Sequence, residues 1–315
     1  MPAIFSKAPA KTILFGEHAV VYGQPAIAIP VTDLYSKVSV ISNPVGSPNE
    51  VRIIAPGIKL NKLISDLPSN DYFISAIQMV MYYLHIDHYP ACEVRISSTI
   101  PIASGLGSSA ALAVSLLRAL FFFLGTSPED LVISDLAFQL EKISHGDPSG
   151  IDNSVIAYEK PIYYVREKPI ELLKVGRAFT IVIGNSGVKS ATKVAVAAVR
   201  ERYQSSPIKF EYLFQKIGAI SNEARINIES GNINVIGEKM IENHKLLQEL
   251  GVSCPELDNL VEAGIHAGAI GAKLCGGGLG GNIIALAGDD AAAQIADALL
   301  IAGAVKTYIT IIKPD

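Results

Sequence analysis

The segment 101–110, with the sequence PIASGLGSSA, combines residue types that suit the binding of an anion. Gly105 and Gly107 allow a tight turn whose backbone can approach a ligand closely, and the hydroxyl groups of Ser108 and Ser109 follow directly. The apolar stretch after them predicts a helix, whose first N–H groups and positive dipole end attract phosphate. A serine-capped helix with a purely structural role would show the same composition. The segment therefore predicts either a phosphate loop or an ordinary helix start.

Three familiar patterns are excluded in the glycine-rich segments. The usual phosphate loop, GxxxxGK[ST], is absent from the sequence, and neither serine stands in GxSxG. A second glycine-rich segment, 273–282 (KLCGGGLGGN), formally contains GxGxxG. Residues 283–287 after it are typical of a strand, whereas a dinucleotide site requires a helix there. These glycines predict a backbone pressed against a ligand or another loop, or else a plain wide hairpin.

The carboxylates that could bind a metal lie in the segment 141–154 (EKISHGDPSGIDNS). Glu141 is predicted near the end of a helix, and Asp152 follows a tight turn on no regular element. Glu141 and His145 share a helix face, but no third nitrogen or sulfur ligand stands nearby, which argues against zinc. A carboxylate with a hydroxyl suits Mg²⁺ better. Asp147 and Asp152 are alternatively turn residues, a common role of aspartate.

Charged residues interrupt the apolar pattern of the segment 7–23 (KAPAKTILFGEHAVVYG). Its apolar residues predict a strand at 11–15, and Lys11, Glu17 and His18 are its candidate site residues. A lone lysine is usually solvated at the surface, and a lone histidine more often makes a local hydrogen bond than takes part in catalysis. A structural and a chemical role both stay open for these three side chains.

The elements that must position these segments occur in runs of one type. β-Branched residues predict strands through the first hundred residues, with one amphipathic helix at 69–84 among them. Two helices are predicted next, the second with Pro128 in its first turn, where proline is favoured. Further strands are predicted at 155–158, 162–165 and 178–184.

The polar segment 166–177 predicts a boundary between an N-terminal domain, 1–175, and a C-terminal domain, 176–315. The second domain is predicted to be helical from 189 to 267 and to end in two strands around the second glycine segment, a helix and a last strand. Because strand runs and helix runs are segregated, an α+β fold of two domains is favoured over one doubly wound sheet.

Composition excludes several classes of protein. Of the 315 residues, 50% are hydrophobic and 18% are charged, so an intrinsically disordered chain is excluded. A net charge of −4 without a long basic run argues against nucleic-acid binding. No apolar run reaches the roughly 20 residues of a membrane span, and the three cysteines form no disulfide framework. We expect a cytoplasmic protein that binds neither nucleic acid nor a membrane.

Taken in order, the four segments resemble the motifs of the GHMP kinases, the family named for galactokinase, homoserine kinase, mevalonate kinase and phosphomevalonate kinase. The family's phosphate loop, PxxxGLGSSA, stands here at 101–110. The segments APAKTILFGEHAVVYG and HGDPSGIDNS are most similar to the mevalonate kinases, as are Asn243-His244 and the Gly251-Val-Ser that follows. The resemblance implies a two-domain α+β fold with the active site in the cleft between the domains, the N-terminal domain binding the nucleotide.

The resemblance also implies an activity and a set of residue roles. The activity is ATP-dependent phosphorylation of the primary hydroxyl of mevalonate to 5-phosphomevalonate, with Mg²⁺ as cofactor and a homodimer as the family's usual state. Asp152 would face the hydroxyl as base or electrostatic partner, and Lys11 would pair with Asp152 and stabilise the developing alkoxide. Three groups of residues would bind the ligands: Ser109 and Glu141 the metal; Gly105, Leu106, Gly107, Ser108 and Ser109 the triphosphate; Glu17, His18, Thr192 and Arg166 the substrate.

One motif departs from the family pattern. The third motif usually reads GAGGGG after a threonine, whereas here Cys275 precedes Gly-Gly-Gly-Leu-Gly-Gly, and Leu279 adds bulk where glycine is usual. The geometry of this loop therefore stays open. The alternatives are another GHMP kinase, acting on phosphomevalonate, homoserine or a sugar, and a non-catalytic relative that binds a nucleotide or metabolite. Such a relative is expected to lack Lys11, Glu141 or Asp152, and all three are present.

Overall fold

The computed structural model describes residues 3–101, 104–145, 148–189, 192–288 and 290–314. The chain divides into two compact units, each built from separated stretches of sequence. The first unit combines Met1–Ala10, Leu34–Pro101 and Gly107–Glu159, and the second combines Lys11–Asp33, Ile102–Leu106 and Lys160–Asp315. This is a different kind of division from two consecutive domains, so the boundary at 175/176 stays a prediction.

The described residues form eleven strands and nine α-helices. The strands are β1 (Ile4–Phe15), β2 (Ala26–Ser42), β3 (Val51–Ala55), β4 (Leu60–Leu63), β5 (Cys92–Ser98), β6 (Ile162–Tyr164), β7 (Glu171–Leu172), β8 (Phe179–Asn185), β9 (Ala269–Cys275), β10 (Asn282–Ala287) and β11 (Lys306–Ile312). The helices are α1 (Tyr72–Leu84), α2 (Ser108–Phe123), α3 (Asp130–His145), α4 (Ile151–Tyr158), α5 (Thr192–Ser205), α6 (Pro207–Ser230), α7 (Ile233–Glu249), α8 (Pro255–His266) and α9 (Ala292–Ile301).

The first unit contains paired strands and a group of helices that pack against one another. The second half of β2 pairs antiparallel with β5, and β3 pairs parallel with β5 and antiparallel with β4. Helix α2 is buried along most of its length because its sequence is almost entirely Ala, Leu, Val and Phe. It packs against α1, α3 and α4. The phosphate-loop candidate thus leads directly into a helix that lies in the core of this unit.

In the second unit, an antiparallel sheet in the order β11-β8-β10-β9 is covered by helices. Strands β9 and β10 form a hairpin in which Cys275 pairs with Asn282, so the second glycine segment is the turn of that hairpin. All six residues of β10 are buried, which explains the uninterrupted apolar run that follows Asn282. The mixed α+β character predicted from the sequence is confirmed.

Two predicted elements are corrected. Residues 155–158, predicted as a strand, belong to α4, and Asp152, predicted on no regular element, lies in the first turn of that helix. A short apolar run does not distinguish a buried strand from a buried helix, because both place every side chain in the core. The helix predicted to contain Pro128 begins two residues later, at Asp130.

Within the described part of the chain, no helix combines the length and the apolar character that crossing a bilayer requires.

Candidate active site

Two glycines shape the turn that leads into α2. Gly105 and Gly107 have φ angles of +76° and +73°, in the left-handed region that side chains disfavour. Gly107 is the N-cap of α2, and its carbonyl accepts the first helical hydrogen bond, from Ala111, at 2.9 Å. The predicted alternative, a serine-capped helix, is therefore wrong: the capping position is a glycine, and Ser108 and Ser109 are the first helical residues.

Ser109 and Glu141 are brought together by α2 and α3. The Ser109 hydroxyl donates to Oε1 of Glu141 at 2.5 Å, and Glu141 is 7% exposed. The pair offers a carboxylate and a hydroxyl, the oxygen ligands that Mg²⁺ accepts. Among the described residues, no three His, Cys, Asp or Glu side chains are grouped as a metal cage. Because Mg²⁺ usually keeps several waters and takes phosphate oxygens from its substrate, two protein ligands fit this cation.

The hydroxyl of Tyr72 lies buried in the same unit. It has no hydrogen-bond partner among the described residues. Burial, and secondarily the nearby charge of Glu141, raises the pKa of Tyr72 well above its ordinary value, so the side chain is a neutral donor. The side chain of His145, the predicted helix-face neighbour of Glu141, and Asp147 lie outside the described residues.

Asp152 stands half-buried at the start of α4, on a turn that its neighbours fix to α3. The amide of Asn153 donates to the carbonyl of Ser134 at 3.0 Å, and the Ser154 hydroxyl donates to the carbonyl of Gly150 at 2.7 Å. A carboxylate in the first turn of a helix is also favoured by the helix dipole. Asp152 is therefore a positioned acid and not a residue of a loose turn.

In the second unit, the loop residues 104–106 are attached to two other motifs. The backbone N–H of Lys11, on β1, donates to the carbonyl of Leu106 at 3.0 Å. The amide of Asn282, the last residue of the second glycine segment, donates to the carbonyl of Ser104 at 2.6 Å. Lys11 is 7% exposed, so it is not the solvated surface lysine that was the alternative. Lys11 and Asp152 belong to different units, and the predicted pairing of their side chains stays a prediction.

The second glycine segment forms a turn pressed against other parts of the unit. A Cβ on Gly278 would overlap the carbonyl of Val252, and the N–H groups of Leu279 and Gly281 donate to the carbonyls of Val252 and Val188 at 2.7 and 2.9 Å. Leu279 adopts a φ of +54°. The turn therefore keeps a glycine-like conformation at its one non-glycine position, and another loop explains the close approach.

Two predicted substrate-side residues, His18 and Thr192, lie beside Gly277 in the second unit. His18 is buried, and its Nε2 lies 3.0 Å from the carbonyl oxygen of Gly277. A carbonyl only accepts, so Nε2 carries the proton and Nδ1 is left as an acceptor. Thr192 lies so close to Gly277 that a Cβ added there would stand 3.0 Å from the Cα and the hydroxyl oxygen of Thr192. Burial lowers the pKa of His18, which the hydrogen bond to Gly277 only partly offsets, so the ring is neutral at neutral pH.

Glu17 is bound by two residues that the sequence analysis did not assign. The ammonium group of Lys273, on β9, contacts Oε1 of Glu17, and the amide of Asn243, on α7, donates to Oε2 at 3.3 Å. Lys273 is completely buried. The available signal was a lysine within AIGAKLC, a strand otherwise made of small and apolar residues. Arg166, in contrast, is exposed after β6 with its Nε 3.9 Å from Glu167, and its substrate role stays a prediction.

Two sequence models match the chain. The model of the GHMP kinases N terminal domain matches residues 71–160, and that of the GHMP kinases C terminal matches residues 224–305. A relative from Pyrococcus horikoshii, a mevalonate kinase, is 37% identical over 96% of this chain and 93% of its own length.

Solved structures are similar over the whole chain. The L. major mevalonate kinase in complex with R-mevalonate superposes with a TM-score of 0.85 at 29% identity, covering 99% of this chain and 96% of that protein. The Methanococcus jannaschii mevalonate kinase gives a TM-score of 0.84 at 26% identity, covering 100% and 99% of the two chains.

Proposed function

The chain belongs to the GHMP kinases, and we propose that it transfers the γ-phosphoryl group of ATP to the primary hydroxyl of mevalonate, giving 5-phosphomevalonate and ADP. The observation that carries the proposal is the pair formed by Ser109, on the helix that begins after the Gly105–Gly107 turn, and Glu141, on α3. It unites an anion-binding helix start with the two oxygen ligands of a magnesium site, in a chain similar to mevalonate kinases over nearly its full length.

The nucleotide end of the site consists of the glycine turn and the metal pair. Gly105, Leu106, Gly107 and Ser108 hold the triphosphate through backbone N–H groups at the start of α2. Ser109 and Glu141 would hold Mg²⁺, which would neutralise negative charge on the triphosphate. Phosphoryl transfer requires mainly positioning and charge neutralisation. The hydrogen bonds that fix this turn therefore contribute to catalysis by holding the phosphates in place.

Asp152 and Lys11 act on the attacking hydroxyl. As the O–H bond of the alcohol breaks, the Asp152 carboxylate accepts the proton or orients it, and the ammonium group of Lys11 stabilises the charge that develops on the oxygen. That oxygen bonds to the γ-phosphorus while the bond from phosphorus to the ADP oxygen breaks. Because a primary alcohol is a weak nucleophile at neutral pH, both groups raise the rate of phosphoryl transfer.

The substrate end of the site uses the groups around Gly277. Neutral His18 offers Nδ1 as an acceptor for a substrate hydroxyl, because its Nε2–H is already bonded to Gly277. Thr192 adds a hydroxyl, Glu17 fixes the turn that carries His18, and Arg166 supplies a cation for the substrate carboxylate. We extend the proposal, on the family resemblance, to a homodimer that works in the cytoplasm; sedimentation of the purified protein tests the first part.

A product assay tests the activity. Purified protein is incubated with MgATP and, separately, mevalonate, phosphomevalonate, homoserine and galactose, and the phosphorylated product is identified by mass spectrometry. We expect turnover with mevalonate at least a hundredfold above the other alcohols. Preferred turnover of another alcohol would assign the chain to a different GHMP kinase activity, and nucleotide binding without any product would indicate a non-catalytic relative.

A further inference from the structure

Lys273 and Glu17 form an ion pair completely withdrawn from water. The side chain of Lys273 is 0% exposed and that of Glu17 is 1% exposed. The ammonium group of Lys273 contacts the Glu17 carboxylate and donates to the carbonyl of Leu274 at 2.8 Å. Lysine and glutamate are almost never fully buried unless they are paired, because an isolated charge is strongly disfavoured away from water. Each of these two charges therefore depends on the other.

The pair lies beside the substrate end of the site. Glu17 is followed directly by His18, whose ring is bonded to Gly277. Glu17 itself has both carboxylate oxygens occupied, Oε1 by Lys273 and Oε2 by Asn243, so β9 and α7 hold it from two directions. A carboxylate with both oxygens occupied is poorly placed to serve as a direct substrate ligand.

We propose that Lys273 is a positioning residue that neutralises Glu17, so that a substrate carrying its own carboxylate can bind next to His18. The inference rests on the proposed function, since mevalonate is an anionic alcohol. Without Lys273, Glu17 would place an unpaired negative charge one residue from His18 and would repel such a substrate. ATP, which binds at the glycine turn and the metal pair, would be unaffected.

A double-mutant cycle that removes the two charges one at a time and together tests this role. Lys273→Met, Glu17→Gln and the double variant are compared with the wild type, with mevalonate and ATP varied separately in steady-state kinetics. We expect Lys273→Met to raise the KM for mevalonate at least tenfold while the KM for ATP stays within twofold. The double variant, which contains no unpaired charge, is expected to return the KM for mevalonate to within threefold of that of Glu17→Gln. Lys245→Met, which removes an exposed lysine from α7, is the matched control and leaves both constants unchanged.

A purely structural ion pair predicts a different pattern. Loss of packing would lower the folded fraction and hence kcat, with equal effects on both KM values, and the double variant would be at least as impaired as Lys273→Met. That pattern, or an unchanged KM for mevalonate in Lys273→Met, overturns the inference. If Lys273→Met does not fold, the double variant decides, because it must then fold and bind mevalonate within threefold of Glu17→Gln; failure to do so also overturns it.

The wild-type arm separates this inference from the proposed function. A wild type that phosphorylates mevalonate beside a Lys273→Met variant with unchanged KM refutes only the role of Lys273. A wild type that gives no phosphorylated mevalonate refutes the proposed function whatever the variants show.

Discussion

Substitution of Glu141 by glutamine separates metal binding from folding, because the change removes a charge and keeps the shape. In the wild type, the Ser109 hydroxyl donates to Oε1 of the carboxylate at 2.5 Å. Glutamine has an oxygen at the same position, so the hydrogen bond persists with a neutral acceptor. The variant therefore lacks the anionic ligand without leaving an unpaired buried donor.

The expected effect of Glu141→Gln on stability is small. A hydrogen bond to a charged group contributes about 1.5–3 kcal/mol and a neutral one about 1 kcal/mol, so about 0.5–2 kcal/mol is lost. Removing a charge that is 7% exposed relieves a desolvation cost of opposite sign. We expect the free energy of unfolding to change by about 1 kcal/mol or less, which corresponds to a change in Tm of roughly 2–4 °C or less.

The expected effect of Glu141→Gln on metal-dependent binding is large. Loss of even an outer-shell partner of a metal costs about 10–100-fold in affinity, and a direct ligand costs at least that. We expect the Kd for ADP at saturating Mg²⁺ to rise by about that factor, a loss of about 1.4–2.7 kcal/mol. Calorimetric titration with ADP measures this, once with Mg²⁺ and once in a chelator, where variant and wild type should bind ADP equally.

Two further variants complete that experiment. Ser109→Ala removes the hydroxyl as well as the hydrogen bond, so it should lower both stability, by about 1–3 kcal/mol, and the Mg²⁺ dependence of ADP binding. Asp135→Asn removes an exposed carboxylate from α3, the helix that carries Glu141, and should change neither the stability nor the Mg²⁺ dependence of ADP binding. An equal loss of ADP affinity with and without Mg²⁺ in Glu141→Gln, or no loss in either condition, would refute the assignment of Glu141 to the metal.

Three other outcomes follow from the geometry. Gly16→Ala should lower the free energy of unfolding by about 2–4 kcal/mol in urea titration, because its Cβ would overlap the carbonyl of Pro25 at a φ of +94°; Gly23→Ala, with positive φ but open space, should cost about 1 kcal/mol, and equal losses would contradict this. Burial lowers the pKa of His18 below 6.5, so below that pH the unfolded chain binds a proton at His18 more readily than the folded chain does. The stability that His18 contributes is therefore complete above pH 6.5 and is lost on acidification. His18→Gln should accordingly show a smaller loss of Tm between about pH 7.5 and 5.5 than the wild type. Asp152→Asn and Asp152→Ala should lose about 3–6 kcal/mol of transition-state stabilisation with Tm nearly unchanged, and near-normal turnover of either would exclude a role in the reaction.

Local patterns predicted the phosphate-loop segment well. Two glycines before a long apolar run place the turn and the start of α2 at Ser108, because each signal acts over only a few residues. The same local reasoning failed at α4, where four apolar residues fit a strand or a helix equally. In the structure, Gly150 is the N-cap of this helix and has a left-handed conformation. In the sequence, a glycine at this position fits the end of a turn equally well, so it did not identify the helix start.

Contacts between distant residues were beyond prediction from one sequence. Lys273 and Glu17 are 256 residues apart, and only the fold brings them together. Their meeting depends on the register of β9 against β10, since one residue of slip would turn Lys273 to the opposite face of the sheet. The sequence showed that Lys273 breaks an apolar strand pattern, which marks it as unusual, but it contained no information on the partner.

The contacts of each candidate site residue determine whether its substitution reports on ligand binding or on folding. A hydrogen bond between Ser109 and Glu141 joins two adjacent helices, and an isosteric change of Glu141 keeps the shape of the side chain, so it reports mainly on the ligand. Glu17, in contrast, is bound by β9 and α7 at once, so a change there alters charge balance and anchoring together. A single substitution at Glu17 therefore affects both substrate binding and folding. The double variant of Lys273→Met and Glu17→Gln, which leaves no unpaired charge, separates the two effects. The same argument favours Asp152→Asn over Asp152→Ala for kinetics, because asparagine keeps the side-chain volume at the start of α4 while removing the acid.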